Sequence, residues 1–517
     1  AMVLMDVSTL VRWQRYLFFI LIICIPFTTF PKAMTLPVIG QNLAYYPLLA
    51  GGILWGIEVC RSKNSRISKK YEYYFLVFIG WQLLCTIIGF INFKYFDLFD
   101  LSTLEKVQPI VQMLQTNGIS INENYVLRIV QLGRILKGVF VNNFWTFGAA
   151  LWVYHLYAND WKMAIRDLKK AALTLICLLG AYSLIEITYF MGSPISKTVL
   201  IAINPYLYDV SVANGWWPPL LWNGVQLRSV FQEPSFFGVA AAFLTPLIWG
   251  CLFTAKSIRS VILLSLMNML FVTMIVLTQA RTATVLFLGE IGLLSLAVIS
   301  FYRVYWQRYI LTIILSLIGF MLSFGIIMNP TILAGYNTST VKEASVSLKN
   351  YSEDYIDNNV KSAVGNARSN NARGSNNKAM FKVAFQHPIL GVGTNLQDGY
   401  VKDNLTDFDK ANDEVGRWTN DFLHKGVLAS GYPITNNFAY IAADFGLIGL
   451  VIYLIPFVGT IAVLLYRRVA LHNFEVASLL IAFIGSIMAF MSSAASLYVY
   501  ILLGILLCVI DSHTKRA

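Results

Sequence analysis

The sequence has little charge. Only 13% of its 517 residues are Asp, Glu, Lys or Arg, whereas a soluble domain carries about 25%. Hydrophobic residues make up 57% of the chain, and the mean hydropathy is +0.62. These values exclude an ordinary soluble domain. Because apolar helices satisfy their own backbone hydrogen bonds inside a bilayer, the sequence predicts an all-α integral membrane protein.

Cysteine and regular repeats are also scarce. The six cysteines lie in apolar runs or at their edges, so we expect neither a disulfide framework nor a Cys-ligated zinc site. The chain has no repeat of fixed period, which excludes a solenoid. An acidic cluster within residues 403–414 is interpreted as a solvated face rather than a calcium site. We therefore expect no metal and no cofactor.

Positive charge exceeds negative charge, and the formal net charge is +12. Many of the cations lie in short loops between apolar runs, where they anchor a membrane protein against anionic lipid. The charge is therefore not interpreted as a nucleic-acid-binding surface. The lipid bilayer is an expected partner, and nucleic acid is not.

The apolar runs predict about twelve transmembrane helices, each long enough to cross a hydrocarbon core. They occupy residues 13–30, 45–59, 73–91, 139–157, 171–190, 235–254, 261–277, 282–301, 309–327, 438–466, 476–495 and 497–510. The tenth run is long enough to be tilted or broken. The first is interpreted as a permanent helix rather than a removed signal peptide, because it lacks a small-residue cleavage site.

Lysine and arginine concentrate in alternate short loops, which the positive-inside rule assigns to the cytoplasm. Both termini are therefore predicted to be cytoplasmic. The chain divides into spans 1–9 (residues 1–328), a large extracytoplasmic loop (329–433) and spans 10–12 (434–517). Residues 92–138 also lie outside, and apolar residues at helical spacing predict an interfacial amphipathic helix there. That helix is either scaffold or a contact for lipid phosphate.

The outer end of the sixth span is rich in functional groups. The segment 228–238 contains Arg228 and then Glu233 directly before a proline, the pattern of a helix start. Arg281 lies at the outer end of the eighth span. Because an arginine fork matches phosphate oxygens, the two outer arginines indicate phosphate binding at the membrane surface. The alternative for each is a snorkelling anchor. Trp222 and its neighbours at 216–217 are either interface-belt aromatics or sugar-stacking platforms.

Four motifs in order resemble the Wzy-type polysaccharide polymerase and O-antigen ligase superfamily. They are Arg-x-x-Phe-x-Glu-Pro-Ser-x-Phe-Gly at 228–238, Gln-Ala-Arg-Thr-Ala at 279–283, Phe-x-His-Pro-Ile-x-Gly-Val-Gly at 385–393 and Asn-Asn-x-x-Tyr-x-x-x-x-x-Gly-Leu-Ile-Gly at 436–449. The resemblance covers the C-terminal half, and the first five spans match in topology only. The Phe-x-His-Pro motif is interpreted as the end of a short amphipathic helix.

The resemblance implies an inverting, metal-independent glycosyltransferase in a bacterial inner membrane, facing the periplasm or exterior. Its donor and acceptor would be undecaprenyl-diphosphate-linked oligosaccharides, with a chain-length regulator and a flippase as further partners. The expected diphosphate ligands are Arg228, Arg281 and Arg373, with Arg368 as an alternative. Asn436 and Asn437 are expected to position substrate. The catalytic base is expected to be Glu233 or His424, although Glu233 is equally the anion of a helix start and His424 equally an ordinary surface histidine.

Two departures from the ligase pattern favour a polymerase. Ligase-type members carry a His-Asn pair where this chain has Thr435 and Asn436, and a Pro-Asn pair where it has Glu-Pro-Ser at 233–235. An O-antigen ligase that transfers glycan to a lipid A core stays as an alternative. So does a lipid-linked-oligosaccharide flippase or transporter, although the chain shows no related halves. We expect the loop to act as a lid over the span ends.

Overall fold

A computed structural model shows the chain as an all-helical protein. It describes residues 6–37, 39–62, 65–99, 104, 107–119, 122–210, 218–222, 226–328, 368–425 and 431–514, without the side chains of residues 368–370 and 425. No strand occurs in this part of the chain. The predicted all-α fold class is therefore confirmed.

The helices follow one another with short connections. In the first part of the chain they are α1 (Val7–Cys24), α2 (Tyr45–Ser62), α3 (Lys69–Ile91), α4 (Gln108–Thr116), α5 (Glu123–Asn143), a π-helical turn (Phe144–Gly148), α6 (Ala149–Tyr157), α7 (Trp161–Phe190), α8 (Pro194–Leu207), α9 (Pro234–Thr254), α10 (Ile258–Leu277), α11 (Arg281–Ser300) and α12 (Trp306–Ile327). The second part contains α13 (Arg368–Gln386), α14 (Gln397–Asn404), α15 (Asp407–Lys410), α16 (Asp413–Lys425), α17 (Asn437–Tyr466), α18 (Val469–His472), α19 (Phe474–Met488) and α20 (Leu497–Thr514). Short 3-10 helices occur at Lys32–Met34, Phe96–Leu98, Arg303–Tyr305 and Ala489–Met491.

Ten helical stretches of the described chain are long and apolar enough to cross a membrane. The two further spans in the prediction correspond to α2 and to the π-helical turn with α6. The first span is shifted towards the N-terminus relative to the prediction: α1 begins at Val7 and ends at Cys24, although the apolar run continues to residue 30. Pro26 follows at once and has no backbone N–H with which to continue the helix.

The predicted amphipathic segment and the fourth span form one continuous helical rod. α5 begins at Glu123 and passes through the π-helical turn directly into α6. Sequence analysis separated these parts because polar residues occupy the first half and apolar residues the second. The helix predicted within residues 92–138 is therefore present, as the first half of a longer helical rod.

α9 is the central helix of the bundle. Its most apolar 18-residue window is 89% buried, and α9 packs against α10, α11 and α19. Three successive small residues, Ala240, Ala241 and Ala242, are buried along it. Small side chains let helix backbones approach closely in a membrane, where packing rather than hydrophobicity drives association. The start of α9 is therefore held firmly by its neighbours.

Ion pairs tie helices together at the end that carries the predicted cytoplasmic cations. Arg15 pairs with Asp167 at 2.7 Å and joins α1 to α7. Lys70 pairs with Asp511 at 2.7 Å and joins α3 to α20. These cations therefore have a structural role at that end, and the orientation in the membrane stays a prediction from the positive-inside rule.

α17 is broken at Gly446, where the backbone adopts φ +73°. A turn at residues 388–393 inserts at this break. The N–H of Val392 donates to the carbonyl of Ala443 at 2.9 Å, and the N–H of Gly393 donates to that of Asp444 at 2.8 Å. These bonds satisfy carbonyls that the interrupted helix leaves open. The tenth span is therefore broken, which is one of the two forms that the sequence predicted.

The described part of the large loop, residues 368–425 and 431–433, is called the lid. Its longest helix, α13, packs against α17, and α14 and α16 pack against α13. α13 ends at Gln386, directly before His387 and Pro388, as the sequence predicted, but it begins well before the predicted short helix. The lid is thus an ordered layer docked on the span ends.

Candidate active site

A cavity of about 800 Å³ lies where the lid meets the starts of α9 and α11. Its walls come from five separate parts of the chain. The lining residues are Trp222, Gln226, Glu233, Pro234, Ser235, Thr278, Gln279, Ala280, Arg281, Thr282, Val285, Leu286, Arg373, Gly374, Asn377, Thr435, Met488, Met491 and Ser492. The structure therefore brings together three of the predicted site residues, Glu233, Arg281 and Arg373.

The N-termini of α9 and α11 lie side by side at this cavity. A Cβ atom on Gly238 would come within 2.8 Å of the Cβ atom of Ala283, so only glycine permits the observed approach. Glycine and alanine at these places belong to two of the motifs found in the sequence. The positive ends of both helix dipoles face the same space, which favours a bound anion there.

Glu233 lies at the N-cap position of α9, and Pro234 is the first helical residue. The side chain of Glu233 does not cap the helix and instead accepts a hydrogen bond from the hydroxyl of Ser235. The hydroxyl acts as a donor that holds the carboxylate at the cavity wall. The carboxylate is half-buried and lines the cavity.

Arg281 is the first residue of α11 and follows a tight turn. Gln279 in that turn has φ +50°, a left-handed conformation that residues other than glycine rarely adopt. Both residues line the cavity. Backbone conformations of this kind cost free energy and are concentrated at functional sites. The turn directs the start of α11, and with it a cation, into the cavity.

The lid contributes Arg373 from α13, and this side chain is exposed towards the cavity. The same helix is anchored nearby by amide and hydroxyl contacts. The Thr435 hydroxyl donates to Asn377 Oδ1 at 2.8 Å, and Asn376 Nδ2 donates to the carbonyl of Pro433 at 2.8 Å. These bonds join α13 to the segment that leads into α17. They therefore fix the position of Arg373 relative to the N-termini of α9 and α11.

Arg228 does not line the cavity, because its side chain is buried with only 1% of its surface exposed. Nη1 donates to the carbonyl of Pro219 at 3.0 Å, and Nη2 to that of Leu220 at 3.2 Å. The guanidinium lies 4.4 Å from the ring centroid of Tyr208 and 5.7 Å from that of Trp222. Its hydrogen bonds therefore go to protein carbonyls, and only the Trp222 ring connects it to the cavity.

A buried carboxylate holds the turn that contains Arg228. Glu186 Oε2 accepts hydrogen bonds from the N–H of Arg228 at 3.2 Å and from that of Ser229 at 2.8 Å. Ser229 has φ +53°. The segment before α9 is thus held in place by Arg228 in two ways. Its guanidinium binds the carbonyls of Pro219 and Leu220, and its backbone N–H binds Glu186.

The other predicted site residues lie elsewhere. His424 is exposed on α16, and its ring Nδ1 contacts the carbonyl of Asn420 at 3.0 Å. Asn436 caps α17 and accepts from the N–H groups of Phe438 and Ala439. Asn437 is buried and lines a second cavity. Arg368 begins α13, and its side chain lies outside the described residues.

Several lining residues were not singled out as site residues from the sequence, among them Gln279, Asn377 and Ser492. Gln279 was contained in a motif, and Asn377 follows an Asn-rich run whose spacing carries no helical or strand signal. Trp222 lines the cavity, whereas Trp216 and Trp217 lie outside the described residues. In the described part of the chain, no three His, Cys, Asp or Glu residues are grouped so that they could hold a metal ion.

One family model matches the chain. Residues 266–454 match the family described as Wzy_C: O-Antigen ligase, and this range includes Arg281, Arg373 and Thr435 but begins after Glu233. No curated protein matches the sequence. The family match confirms the resemblance to the Wzy and O-antigen ligase superfamily. The matched part of the chain is thus similar to proteins of the O-antigen ligase type.

Proposed function

Since residues 266–454 carry an O-antigen ligase domain in a multi-pass membrane protein, we propose that the protein is a polysaccharide polymerase. It joins oligosaccharide units that are linked to a lipid diphosphate, at the outer face of a bacterial inner membrane. One observation carries the proposal: Arg281, Arg373 and Glu233, from three separate elements, line one cavity at the span ends.

The cations of this cavity suit a diphosphate. Arg281 projects from the positive end of α11, and Arg373 faces it from the lid. An arginine fork forms paired hydrogen bonds with phosphate oxygens, and a site partly closed from water strengthens them. A sugar diphosphate needs such neutralisation because negative charge develops on the leaving group as its bond to the sugar breaks. The arginines therefore act on the leaving group.

The reaction is an inverting substitution at the anomeric carbon. An acceptor hydroxyl oxygen forms a bond to C1 of the donor sugar while the bond from C1 to the diphosphate oxygen breaks. The lipid diphosphate leaves with the bonding electrons, and the hydroxyl proton passes to a base. Holding both reactants in line supplies much of the rate enhancement, since the donor already has a good leaving group.

Glu233 is the proposed base. It is the acidic side chain that lines the cavity, and Ser235 holds it by a hydrogen bond. His424 is not proposed for this role, because its ring contacts its own helix on an exposed face of α16. Arg228 is proposed as a positioning residue, since it stacks on Trp222, which lines the cavity.

Two features favour polymerase over ligase. Thr435 lines the cavity where ligase-type members carry histidine, and its hydroxyl is engaged with Asn377 of the lid. Glu233 occupies the Glu-Pro-Ser form of the helix start rather than the Pro-Asn form. The acceptor is therefore proposed to be a second lipid-linked saccharide chain, with a flippase that supplies it and a regulator that limits its length.

The decisive experiment gives the purified protein in lipid nanodiscs only lipid-diphosphate-linked repeat units. We expect a ladder of longer lipid-linked chains, which Arg281→Gln and Arg373→Gln abolish while the protein stays folded. Arg417→Gln is the matched control, because this lid arginine does not line the cavity. Unchanged ladders in both cavity variants would remove the diphosphate assignment.

The same preparation distinguishes the alternatives. Product found only when a lipid A core acceptor is added would establish a ligase. Movement of intact lipid-linked units across a vesicle membrane, without elongation, would establish a flippase.

A further inference from the structure

A second cavity, of about 250 Å³, lies between the outer halves of α3 and α17 and beside the π-helical turn. Part of the lid, the turn at residues 394–395, closes it. The lining residues are Tyr45, Phe78, Gln82, Val139, Asn142, Asn143, Trp145, Thr146, Phe147, Thr394, Asn395, Ile434, Asn437, Tyr440, Ile441, Phe445, Tyr453, Ala494, Ala495 and Tyr500. None of these residues carries a charge, yet amide and hydroxyl groups are frequent among them.

Three buried amides in this cavity have spare hydrogen-bonding capacity. Gln82, Asn143 and Asn437 are exposed by only 7%, 3% and 3%. Asn143 Nδ2 donates to Gln82 Oε1, and Asn437 Nδ2 donates to the hydroxyl of Tyr453 at 2.9 Å. Within the described residues, Gln82 Nε2, Asn143 Oδ1 and Asn437 Oδ1 have no hydrogen-bond partner. Each of these three atoms therefore has capacity to hydrogen-bond a ligand or water in the cavity.

Aromatic rings and hydroxyls complete the lining. The rings of Tyr45 and Trp145 are stacked with their centroids 4.2 Å apart, which makes a flat platform. The hydroxyls of Tyr453 and Tyr500 are 2.8 Å apart and extend the hydrogen-bond chain that begins at Asn437. A platform of this kind suits the C–H face of a sugar ring, and hydroxyl chains suit its rim.

The wall of the cavity contains an irregular piece of helix. Residues 142–147, which include most of the π-helical turn Phe144–Gly148, contribute Asn142, Asn143, Trp145, Thr146 and Phe147. A π-turn inside an α-helix is rare and is frequent at functional sites. The extra residue in the turn lets five neighbouring side chains reach the cavity or its rim, more than a regular helix face would present. This segment lies outside the range that the family model matches.

The two cavities lie on opposite sides of the same chain segments. Thr435 lines the first cavity, whereas Ile434 and Asn437 line the second. Ser492 lines the first, and Ala494 lies in the second. A saccharide held in the second cavity therefore contacts chain segments that also line the cavity of Glu233 and the arginines.

We propose that the second cavity binds an uncharged sugar ring of the acceptor saccharide. The proposal rests on the polymerase function proposed above and adds to it the place and chemistry of the acceptor. Sugar hydroxyls both donate and accept hydrogen bonds, so one ring satisfies a free amide nitrogen and free amide oxygens together. A phosphate has only acceptors at neutral pH and finds no cation here. The charged diphosphate and the neutral sugar are thus bound in different cavities.

The test uses the full-length protein in nanodiscs with two separate substrates. The donor is the lipid-diphosphate-linked repeat unit, and the acceptor is the same oligosaccharide as its methyl glycoside, which has no leaving group. We expect Gln82→Leu and Asn437→Leu to raise the KM for the acceptor about tenfold, the loss of roughly one hydrogen bond, with the donor KM unchanged. Arg281→Gln should instead abolish transfer while leaving binding of the methyl glycoside unchanged. The matched control is Gln131→Leu, a buried glutamine that lines neither cavity.

A binding measurement separates this proposal from the reaction itself. Saturation-transfer NMR detects the methyl glycoside, with inorganic pyrophosphate as the probe of the first cavity. If no transfer occurs but glycoside binding is lost in Gln82→Leu and Asn437→Leu and kept in Arg281→Gln, the sugar site stands and the polymerase proposal fails. Glycoside binding that is unchanged in both amide variants overturns the sugar site. An equal rise of both KM values also overturns it, since that indicates a general structural effect.

Discussion

Gly238 of α9 lies against Ala283 of α11 so closely that a Cβ atom on the glycine would be 2.8 Å from that of the alanine. Each residue follows one of the two helix starts that line the proposed active site. The distance between Glu233 and Arg281 is set by this contact, because each lies a few residues before one of the two partners. Because Gly238 has no side chain, α9 and α11 approach closely, and this approach sets the positions of Glu233 and Arg281.

The first prediction concerns this contact. Gly238→Ala should separate the starts of α9 and α11 and reduce polymerisation, because the added methyl group has no space. Overpacking of this kind costs about 1–3 kcal/mol. Thermal unfolding in nanodiscs and the chain-length ladder measure the two effects. Gly289→Ala in α11 is the control, since a Cβ there meets nothing within 4 Å. Equal behaviour of the two variants would show that the close approach is unimportant.

The second prediction concerns docking of the lid. In Gly446→Ala a Cβ would lie 2.4 Å from the carbonyl oxygen of Ile389, at a position with φ +73°. The turn at 388–393 should then detach from the break in α17. Hydrogen exchange at Val392 and Gly393 should accelerate, because their N–H groups bond to α17. Gly459→Ala, in an open part of the same helix, should leave that exchange unchanged. Continued protection of both amides in the first variant would contradict the prediction.

The third prediction separates two arginines. Arg228→Ala should lower the free energy of unfolding by about 2–5 kcal/mol, because it removes a buried guanidinium that donates to the carbonyls of Pro219 and Leu220. Arg281→Ala, at the half-buried cavity wall, should remove activity with a much smaller loss of stability. Thermal unfolding beside the polymerisation assay distinguishes them. Equal stabilities for the two variants would contradict the structural role assigned to Arg228.

The fourth prediction concerns the base. Glu233→Gln should lower kcat by about 10²–10⁴-fold, the usual contribution of general base catalysis, with little change in the donor KM. The amide keeps the shape of the side chain but cannot take the acceptor proton at neutral pH. Ser235→Ala should give a smaller decrease, since it removes only the hydroxyl that holds the carboxylate. A full kcat in Glu233→Gln would exclude this residue as the base.

The fifth prediction concerns pH and the lid. Burial raises the pKa of Asp398 in α14 to about 7, although a hydrogen bond from the backbone of Tyr432 opposes the shift. An acid with a raised pKa in the folded state favours folding when protonated. This stabilisation is complete below about pH 4, near the ordinary pKa of an aspartate, and is lost as the pH rises towards 7. The protection of α14 amides against hydrogen exchange, corrected for the intrinsic pH dependence of exchange, should therefore fall between about pH 4 and pH 7.

Asp398→Asn should remove that pH dependence, because the amide does not titrate. Asp421→Asn, on α16 of the same lid, is the control that should keep it. A slope in α14 that persists in Asp398→Asn would assign the effect to another group.

Hydropathy was sufficient for the all-α membrane fold class, and the described part of the chain contains ten helices long and apolar enough to span a membrane. Boundaries were less certain where a local feature competed with hydropathy, as at Pro26, which ends the first helix before the apolar run ends. Two of the motifs contain Glu233 and Arg281, each beside a helix start, whereas Arg373 was expected from the large loop. Hydropathy and charge beside a helix start are local properties, so they can be read directly from the sequence.

Tertiary structure alone decided which of these residues share a cavity. Arg228 and Arg281 are equivalent in sequence, each an outer arginine beside a helix start, yet the first is enclosed by the carbonyls of Pro219 and Leu220. Asn437 and Gln82 line the same cavity although α3 and α17 are separated by most of the chain. Burial and pairing depend on neighbours brought together by helix packing. The sequence by itself thus determined the membrane fold and the chemistry available, and only the packing of distant helices decided which groups face a substrate.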